Sequence, residues 1–330
     1  MAHDELSGRW DRRHFLGVGI GAFVVASLPF AAVRRQVVTR RSVPMMGTLA
    51  ELTVVHPDER LAQHAIDAAI RELHRIQRMM TRFSGDSDIG RANIGAAHDG
   101  VRVSAETAAV LTRALEWAGA SEGRFDPALG SVVELWDVAT RHEPPTPGAV
   151  HPLAARALWR RVDLATDRGG GRVRFEDAAV RLDLGGIAKG YAVDRAVAAL
   201  RAADVEDALV NVGGDLFALG RAPDGEPWRI GVRSPHDGRA IAATLSVSEQ
   251  AVATSGDYAQ FFRWRGERYH HLMDPETAAP RRGGAPSLTV CADCCLDADA
   301  AATAAFGLAE LAATRVVQRL APSATVTVLG

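Results

Sequence analysis

The sequence has few cysteines, few aromatic residues and no excess of basic residues. Of its 330 residues three are cysteine and 6% are aromatic, and the formal net charge is -2. Proteins that bind nucleic acids usually carry a stripe of lysine and arginine, and those that bind single strands add aromatic side chains on which bases stack. The composition therefore argues against a nucleic-acid partner. A hydrophobic content of 47% indicates a globular protein with a substantial core.

The three cysteines are Cys291, Cys294 and Cys295, and they lie close together. An odd, clustered set does not form a disulfide framework. No further cysteine or histidine follows at a spacing typical of a zinc site. We interpret them as small, semi-buried thiols at the end of a strand, with a redox or disulfide role as the alternative.

The N-terminus reads as an export signal. Arg12 and Arg13 precede Phe15-Leu16 and an apolar stretch that extends to Val33. A pair of arginines before a weakly hydrophobic run is typical of twin-arginine export signals. We therefore expect residues 1–41 to be a signal or a membrane anchor. The protein would then lie in the periplasm or on the outer face of the inner membrane, with membrane association possible through this segment.

Residues 42–330 are expected to form a single catalytic domain. Helices and strands alternate only in part, and the strands cluster late in the chain, which favours an α+β fold with mixed or antiparallel sheets. The expected helices cover residues 59–80, 105–120, 190–203 and about 298–312. The expected strands cover residues 49–55, 173–184, 208–212, 228–232, 242–247, 287–291 and 324–328, and a loop is expected over 141–152.

A glycine-rich turn between Leu182 and Asp194 is the most informative stretch. It contains Asp183, Gly185-Gly186 and then Lys189 at the start of an expected helix. Paired glycines let a backbone approach a phosphate, and a helix N-terminus with a lysine favours negative charge. The spacing matches neither a P-loop nor a dinucleotide fingerprint. The alternative is a tight turn with a surface lysine.

Asp299 and Thr303 lie one helical turn apart on the last expected helix. Residues at i and i+4 share one face. Carboxylate and hydroxyl oxygens are hard ligands that suit magnesium and suit zinc poorly. The alternative is that Asp299 is a helix cap and Thr303 an incidental helix residue.

Three further polar stretches follow expected strands. They are Asn211-Val212-Gly213-Gly214-Asp215, the turn Ala253 to Tyr258 that contains Asp257, and His270-His271-Leu272-Met273-Asp274-Pro275. A histidine can act as a general base near neutral pH. Taken singly, each stretch is also consistent with an ordinary turn or a structural histidine.

The order of these stretches resembles that of the FAD:protein FMN transferases, the ApbE family. The resemblance begins at Met46-Gly47-Thr48, continues through Met80-Thr81-Arg82-Phe83 and Gly123-Arg124-Phe125-Asp126-Pro127, and ends at Thr303. It covers essentially everything after the leader.

The resemblance implies a site residue by residue. Magnesium would be held by Asp299, Thr303 and a backbone carbonyl of the glycine turn, that of Gly186. The candidate general base is His271, with Asp257 behind it. The positions that match FAD contacts of the family are Met46, Phe83, Phe125, Asp126, Asp183, Lys189 and Leu272. Three positions depart from the family pattern: Phe83 replaces a common tyrosine, Ala278 a glycine and Asp88 a glutamate.

The implied activity is magnesium-dependent transfer of FMN from FAD to a threonine of an acceptor protein, with release of AMP. The acceptor would carry an FMN-binding domain, as in membrane redox complexes. Two alternatives stay open: an FAD pyrophosphatase that uses water, and an exported flavin-binding carrier without catalysis. The sequence does not select the acceptor.

Overall fold

An antiparallel sheet of seven strands organises the fold. The computed structural model describes residues 23–25, 37–237 and 240–330, so the twin-arginine pair and most of the apolar run lie outside the described residues. The strand order of this sheet is β17-β16-β11-β8-β7-β3-β2. Its members are β2 (Val37–Met45), β3 (Thr48–His56), β7 (Asp207–Val212), β8 (Asp215–Leu219), β11 (Gln250–Gly256), β16 (Ser287–Ala292) and β17 (Thr325–Leu329).

Smaller sheets surround this one. Two have three strands, in the orders β1-β9-β10 and β4-β6-β5, and two are two-stranded, β12-β13 and β14-β15. Their strands are β1 (Phe23–Val25), β4 (Val101–Val103), β5 (Val162–Asp167), β6 (Gly170–Phe175), β9 (Trp228–Arg233), β10 (Ile241–Val247), β12 (Phe261–Trp264), β13 (Glu267–His270), β14 (Met273–Asp274) and β15 (Ala279–Pro280). All described strand pairs are antiparallel.

Three of the helices, α1, α6 and α7, cover one face of the central sheet. The helices are α1 (Glu59–Met80), α2 (Asp88–Gly95), α3 (Ala105–Ala120), α4 (Gly130–Trp136), α5 (Pro147–Val150), α6 (Ala188–Ala202), α7 (Cys295–Ala305) and α8 (Glu310–Gln318). α6 packs between α1 and α7, and α7 contacts β11 and β16. Short 3-10 turns occur at His151–Leu153 and Leu158–Arg161.

The main core lies between the helices and the sheet. In α1, Ile66, Leu73 and Ile76 are fully buried at helical spacing, so one stripe of this helix faces the sheet. Asp58 begins the helix by accepting bonds from the backbone N–H groups of Arg60 and Leu61. A second core on the opposite side includes Trp228 and Ile230 of β9.

The expected α+β class and the helices over 59–80 and 105–120 are confirmed. The helix expected over 298–312 is wrong in extent. α7 ends at Ala305, because Phe306 leaves the helical region and Gly307 has a φ of 78°. The chain then starts α8.

Other boundaries also differ. The run 173–184 is a strand only to Phe175, after which turns lead to α6, and the expected loop over 141–152 contains α5 and a 3-10 turn. β2 begins at residue 37, before the expected domain start at 42, and pairs with β3 along its length. The leader itself stays a prediction. Within the described residues, no helix is both long and apolar enough to cross a membrane.

Candidate active site

The glycine-rich turn is held in shape by Asp183. One carboxylate oxygen of Asp183 accepts a hydrogen bond from the Gly185 N–H at 2.8 Å, and the other lies 2.9 Å from Nε of Arg82. Helix α6 begins at Ala188. The residue before it, Ile187, forms no side-chain capping hydrogen bond. The Ala188 N–H donates instead to the carbonyl of Leu184 at 2.8 Å.

Gly186 lies directly against the helix that carries the expected metal ligands. A Cβ atom on Gly186 would be 3.0 Å from Oγ1 of Thr303 and 3.2 Å from the ring of Phe125. Phe125 is buried. The structure thus brings Gly186 and Thr303 together as expected, and only glycine leaves this approach unobstructed.

Helices α6 and α7 also meet at Gly190. A Cβ atom at Gly190 would overlap the carbonyl of Cys295 and lie 2.9 Å from Cβ of Asp299. The Gly190 N–H donates to Oδ2 of Asp299 at 3.1 Å. The start of α6 therefore binds a carboxylate of α7, as helix N-termini bind anions.

Lys189 lies between two buried carboxylates. Its ammonium group donates to Asp215 in a short hydrogen bond and lies 3.4 Å from both oxygens of Asp299. Asp215 and Asp299 are each 4% exposed. When both carboxylates are ionised, the cluster carries one negative charge more than the ammonium balances, and both carboxylates are shielded from water.

The pKa values at this cluster reflect burial and the neighbouring charges. Burial alone would lower the pKa of Lys189, but Asp215 and Asp299 raise it above its usual range. Burial, followed by the charge of Asp215, raises the pKa of Asp299, although Lys189 opposes the shift. Burial likewise raises the pKa of Asp215. The excess negative charge is costly, and a bound cation would relieve the cost.

The donor chemistry at this place fits magnesium. Asp299 offers a carboxylate, Thr303 a hydroxyl and the adjoining Gly186 a backbone carbonyl, which are all hard oxygen donors. In the part of the chain that the structure describes, no group of three or more His, Cys, Asp or Glu side chains could hold a metal ion. A site here would therefore depend on the hydroxyl, the carbonyl and oxygens of a bound phosphate.

The Met46-Gly47-Thr48 turn lies at the same end of the sheet. A Cβ atom on Gly213 would be 2.6 Å from Cγ2 of Thr48, and the Gly213 N–H donates to the carbonyl of Leu49 at 3.1 Å. The β2–β3 and β7–β8 hairpins thus lie side by side, since β3 and β7 are paired. This places the segment of Met46 beside the hairpin that carries Asp215.

His271 is partly buried and is held by the carbonyl of Gln260. Its backbone N–H donates to that carbonyl at 3.2 Å, and its ring Nδ1 lies 3.3 Å from the same oxygen. If Nδ1 carries the proton, Nε2 keeps its lone pair and can accept one. Burial, with smaller contributions from His270 and Lys189, lowers the pKa of His271 to about 4. A neutral imidazole can act as a base at neutral pH.

The expected support of His271 by Asp257 is wrong. Asp257 accepts a hydrogen bond from Nη1 of Arg268 at 2.8 Å, while the contact of His271 is the Gln260 carbonyl. The physical reason is the β12–β13 hairpin, which places a guanidinium beside Asp257. Asp257 therefore holds Arg268 rather than the candidate base.

The remaining candidates differ in exposure. Phe83 is 83% exposed, with the guanidinium of Arg82 4.3 Å from its ring centre. Leu272 is buried. Asp126 accepts bonds from the N–H groups of Ala128 at 2.8 Å and Trp159 at 3.2 Å, and burial raises its pKa to about 6. Phe83 is thus open to solvent, whereas Leu272 and Asp126 are largely engaged in the fold.

Sequence reasoning gave no role to several charged residues that the structure places at the site. Asp215 ends the Asn211 to Asp215 stretch, and its pairing with Lys189 follows from the β7–β8 hairpin. Arg124 and Asp194 belong to sequence motifs that predict no separate role for them. No sequence pattern indicates a role for Arg281, because its hydrogen-bond partners are backbone carbonyls, which a sequence does not reveal.

The chain is similar in sequence and in structure to proteins of the ApbE family. The model of the ApbE family matches residues 46–327. The FAD:protein FMN transferase of Treponema pallidum is 35% identical over 278 residues, which are 80% of this chain and 77% of the relative. The crystal structure of the ApbE protein from Thermotoga maritima has a TM-score of 0.78 at 29% identity, covering 88% of this chain and 94% of that chain. The flavin transferase ApbE from Vibrio cholerae has a TM-score of 0.75 at 28% identity, covering 89% and 93%.

We expect His271 to titrate far below an ordinary histidine. Burial disfavours the imidazolium, so the folded protein should keep His271 neutral until the pH falls to about 4. Between pH 6.5 and 4 the unfolded chain binds this proton and the folded chain does not, so this residue should make folding less favourable as the pH falls. NMR titration of the imidazole resonances, with His271→Gln to assign the signal, measures the pKa. A midpoint at or above 6.5 would contradict this description.

Proposed function

Because this chain belongs to the ApbE family, we propose that it transfers the FMN half of FAD to a threonine of an acceptor protein and releases AMP. The family model matches nearly all of the chain from residue 46 onward. The observation that carries the proposal is the buried cluster of Lys189, Asp215 and Asp299 beside Gly186. It combines a cation, carboxylates and a helix N-terminus, which are the groups that bind a diphosphate and its metal.

The proposed metal is magnesium, held by Asp299, Thr303 and the carbonyl of Gly186. When bound, it would neutralise charge that develops on the diphosphate as the phosphorus–oxygen bond to AMP breaks. Lys189 adds a positive charge at the same place, and Asp215 keeps that ammonium in position. The first N–H groups of α6 contribute further positive potential.

His271 is the proposed general base. The acceptor hydroxyl oxygen forms a bond to the FMN-side phosphorus, the bond from that phosphorus to the AMP oxygen breaks, and AMP leaves with the electron pair. The hydroxyl proton passes to Nε2 of His271, which is free when Nδ1 faces Gln260. A base with a pKa of about 4 accepts this proton only as the hydroxyl is losing it in the transition state.

The flavin nucleotide would lie along the same end of the sheet. The proposed contacts are Met46, Phe83, Phe125, Asp126, Asp183, Lys189 and Leu272. Of these, Phe83 offers an open aromatic face. Its ring can stack on a planar heterocycle, but it lacks the hydroxyl with which a tyrosine would add a hydrogen bond.

The proposed acceptor is a protein with an FMN-binding domain that carries the target threonine. The exposure of Phe83 is compatible with access of a second protein to the bound nucleotide. An FAD pyrophosphatase would use water in place of the threonine, and a flavin carrier would bind FAD without cleaving it. Neither alternative is favoured by a contact in the structure.

Export to the periplasm, or to the outer face of the inner membrane, is also proposed. Its support is the Arg12-Arg13 pair before the apolar run to Val33.

Replacement of Asp299 by alanine should abolish the reaction. The change removes a carboxylate ligand and leaves Lys189 with one acid partner, so we expect magnesium-dependent AMP release to fall by 10²-fold or more, on the order seen when a single transition-state contact is removed. The assay mixes protein, FAD, magnesium and an FMN-domain acceptor. Liquid chromatography measures AMP, and mass spectrometry measures FMN addition to the acceptor.

Asp163→Ala is the matched control, because Asp163 is exposed on β5. It should leave both products unchanged. AMP without a mass gain on the acceptor would identify a pyrophosphatase, and FAD binding without AMP would identify a carrier. Full activity of Asp299→Ala would refute the metal assignment.

The leader is tested by fusing residues 1–41 to a folded reporter. The double substitution Arg12→Lys and Arg13→Lys should stop export of the reporter through the twin-arginine route, because that signal depends on the arginine pair. The control is the double substitution Arg34→Lys and Arg35→Lys, which makes the same change outside the pair. The reporter with this control leader should be exported normally. Cell fractionation measures the reporter, and unchanged export of the first variant would exclude this route.

A further inference from the structure

Helix α7 has few large side chains whose packing could fix its position along the helix axis. Its sequence is CLDADAAATAA, and most of its alanines are fully buried against α6 and the sheet. Helices usually register against neighbours by interdigitating larger side chains. An alanine surface gives shallow ridges, so polar contacts must supply much of the registration, among them the hydrogen bonds of Asp297 with Arg113 and Trp117 of α3. Because Asp299 and Thr303 both lie on α7, any sliding moves both proposed ligands together.

The N-terminal end of α7 is fixed by Asp194. The two carboxylate oxygens of Asp194 accept the N–H groups of Cys295 at 2.8 Å and Leu296 at 2.9 Å. Asp194 belongs to α6, the helix that carries Lys189 and Gly190. This contact joins the two helices of the site and places a negative charge where the helix dipole favours it.

The C-terminal end of α7 is fixed by two arginines. Nη1 of Arg281 donates to the Thr303 carbonyl at 2.9 Å, and Nε of Arg124 donates to the Ala304 carbonyl at 3.1 Å. Both guanidinium groups also reach the Phe306 carbonyl, at 3.1 Å and 2.8 Å respectively. These carbonyls lose their helical partners where α7 ends, so the arginines satisfy them.

Arg281 is unusual because its buried charge is directed at carbonyl oxygens. It is 8% exposed, and its side chain donates to the carbonyls of Thr303, Phe306 and Arg124. Positive charge at a helix C-terminus is favoured by the helix dipole. The guanidinium is thus used to hold the end of α7.

The backbone of Arg281 connects the same point to the segment of the candidate base. Its N–H donates to the Leu272 carbonyl at 2.9 Å, and its carbonyl lies 2.8 Å from Nε2 of His270. His270 and Leu272 flank His271 in the chain. One residue therefore bonds both to the backbone of Thr303 and to the neighbours of His271.

We propose that Arg281 is a positioning residue that fixes Thr303 relative to Gly186 and His271. This inference rests on the proposed function, because Thr303 matters only if it binds the metal. The side chain of Arg281 donates to the backbone carbonyls of Thr303, Phe306 and Arg124, so the role we assign to it is indirect. It sets the axial position of α7, and with it the spacing of the oxygens available to a magnesium ion.

The test compares Arg281→Met with Arg282→Met in otherwise full-length protein. FAD binding is followed by flavin fluorescence at increasing magnesium concentrations and again without magnesium, and Tm is measured for each variant. Loss of a residue that orients a metal ligand typically weakens metal binding by 10–100-fold, so the half-saturating magnesium concentration of Arg281→Met should rise about 10-fold or more. FAD binding without magnesium should change little.

Arg282 is the matched control, since it is the adjacent arginine but is exposed and paired with Glu267. Arg282→Met should behave as the wild type in every assay. If Arg281→Met does not fold, Arg281→Gln, which keeps one short donor, replaces it with the same expected direction. An unchanged magnesium requirement in the folded variant would overturn the inference. If FAD binding and AMP release by the wild-type protein do not depend on magnesium, the proposed function is refuted instead.

Discussion

The ion pairing of Lys189 with two buried carboxylates is the constraint on which the site depends. Asp215 and Asp299 are almost fully shielded from water, and an uncompensated carboxylate there would be strongly destabilising. Lys189 compensates for one of the two charges. The charge of the second carboxylate can be relieved by a proton or by a cation, and Thr303 on the same helix lies against Gly186. The metal and diphosphate site that we propose would use this arrangement.

The packing of α6 against α7 makes that arrangement possible. Glycine at position 190 allows the two helices to approach until the Gly190 N–H binds Asp299. Alanines along α7 permit the same closeness against the sheet. Because small residues fix position weakly, charged side chains at both ends of α7 take over this task. The site is therefore held largely by hydrogen bonds and ion pairs of charged side chains.

Local sequence patterns were sufficient for much of the fold but not for the connections within the site. The apolar period of α1 and the i, i+4 placement of Asp299 and Thr303 were predictable, because both depend only on helical geometry. The end of α7 at Phe306 was missed, since alanines alone favour continuing the helix. The Lys189–Asp215 and Asp257–Arg268 pairs join elements that strand pairing brings together. Such pairs depend on topology, which no short pattern encodes.

The most direct measurement is a crystal structure of the protein soaked with FAD and manganese, with anomalous scattering used to locate the metal. Manganese shares magnesium's preference for oxygen ligands and can be identified by its anomalous signal. We expect one anomalous peak, which places the manganese ion within bonding distance of Asp299, Thr303, the Gly186 carbonyl and the diphosphate of FAD. A peak elsewhere, or FAD bound with its diphosphate away from Lys189, would contradict this expectation.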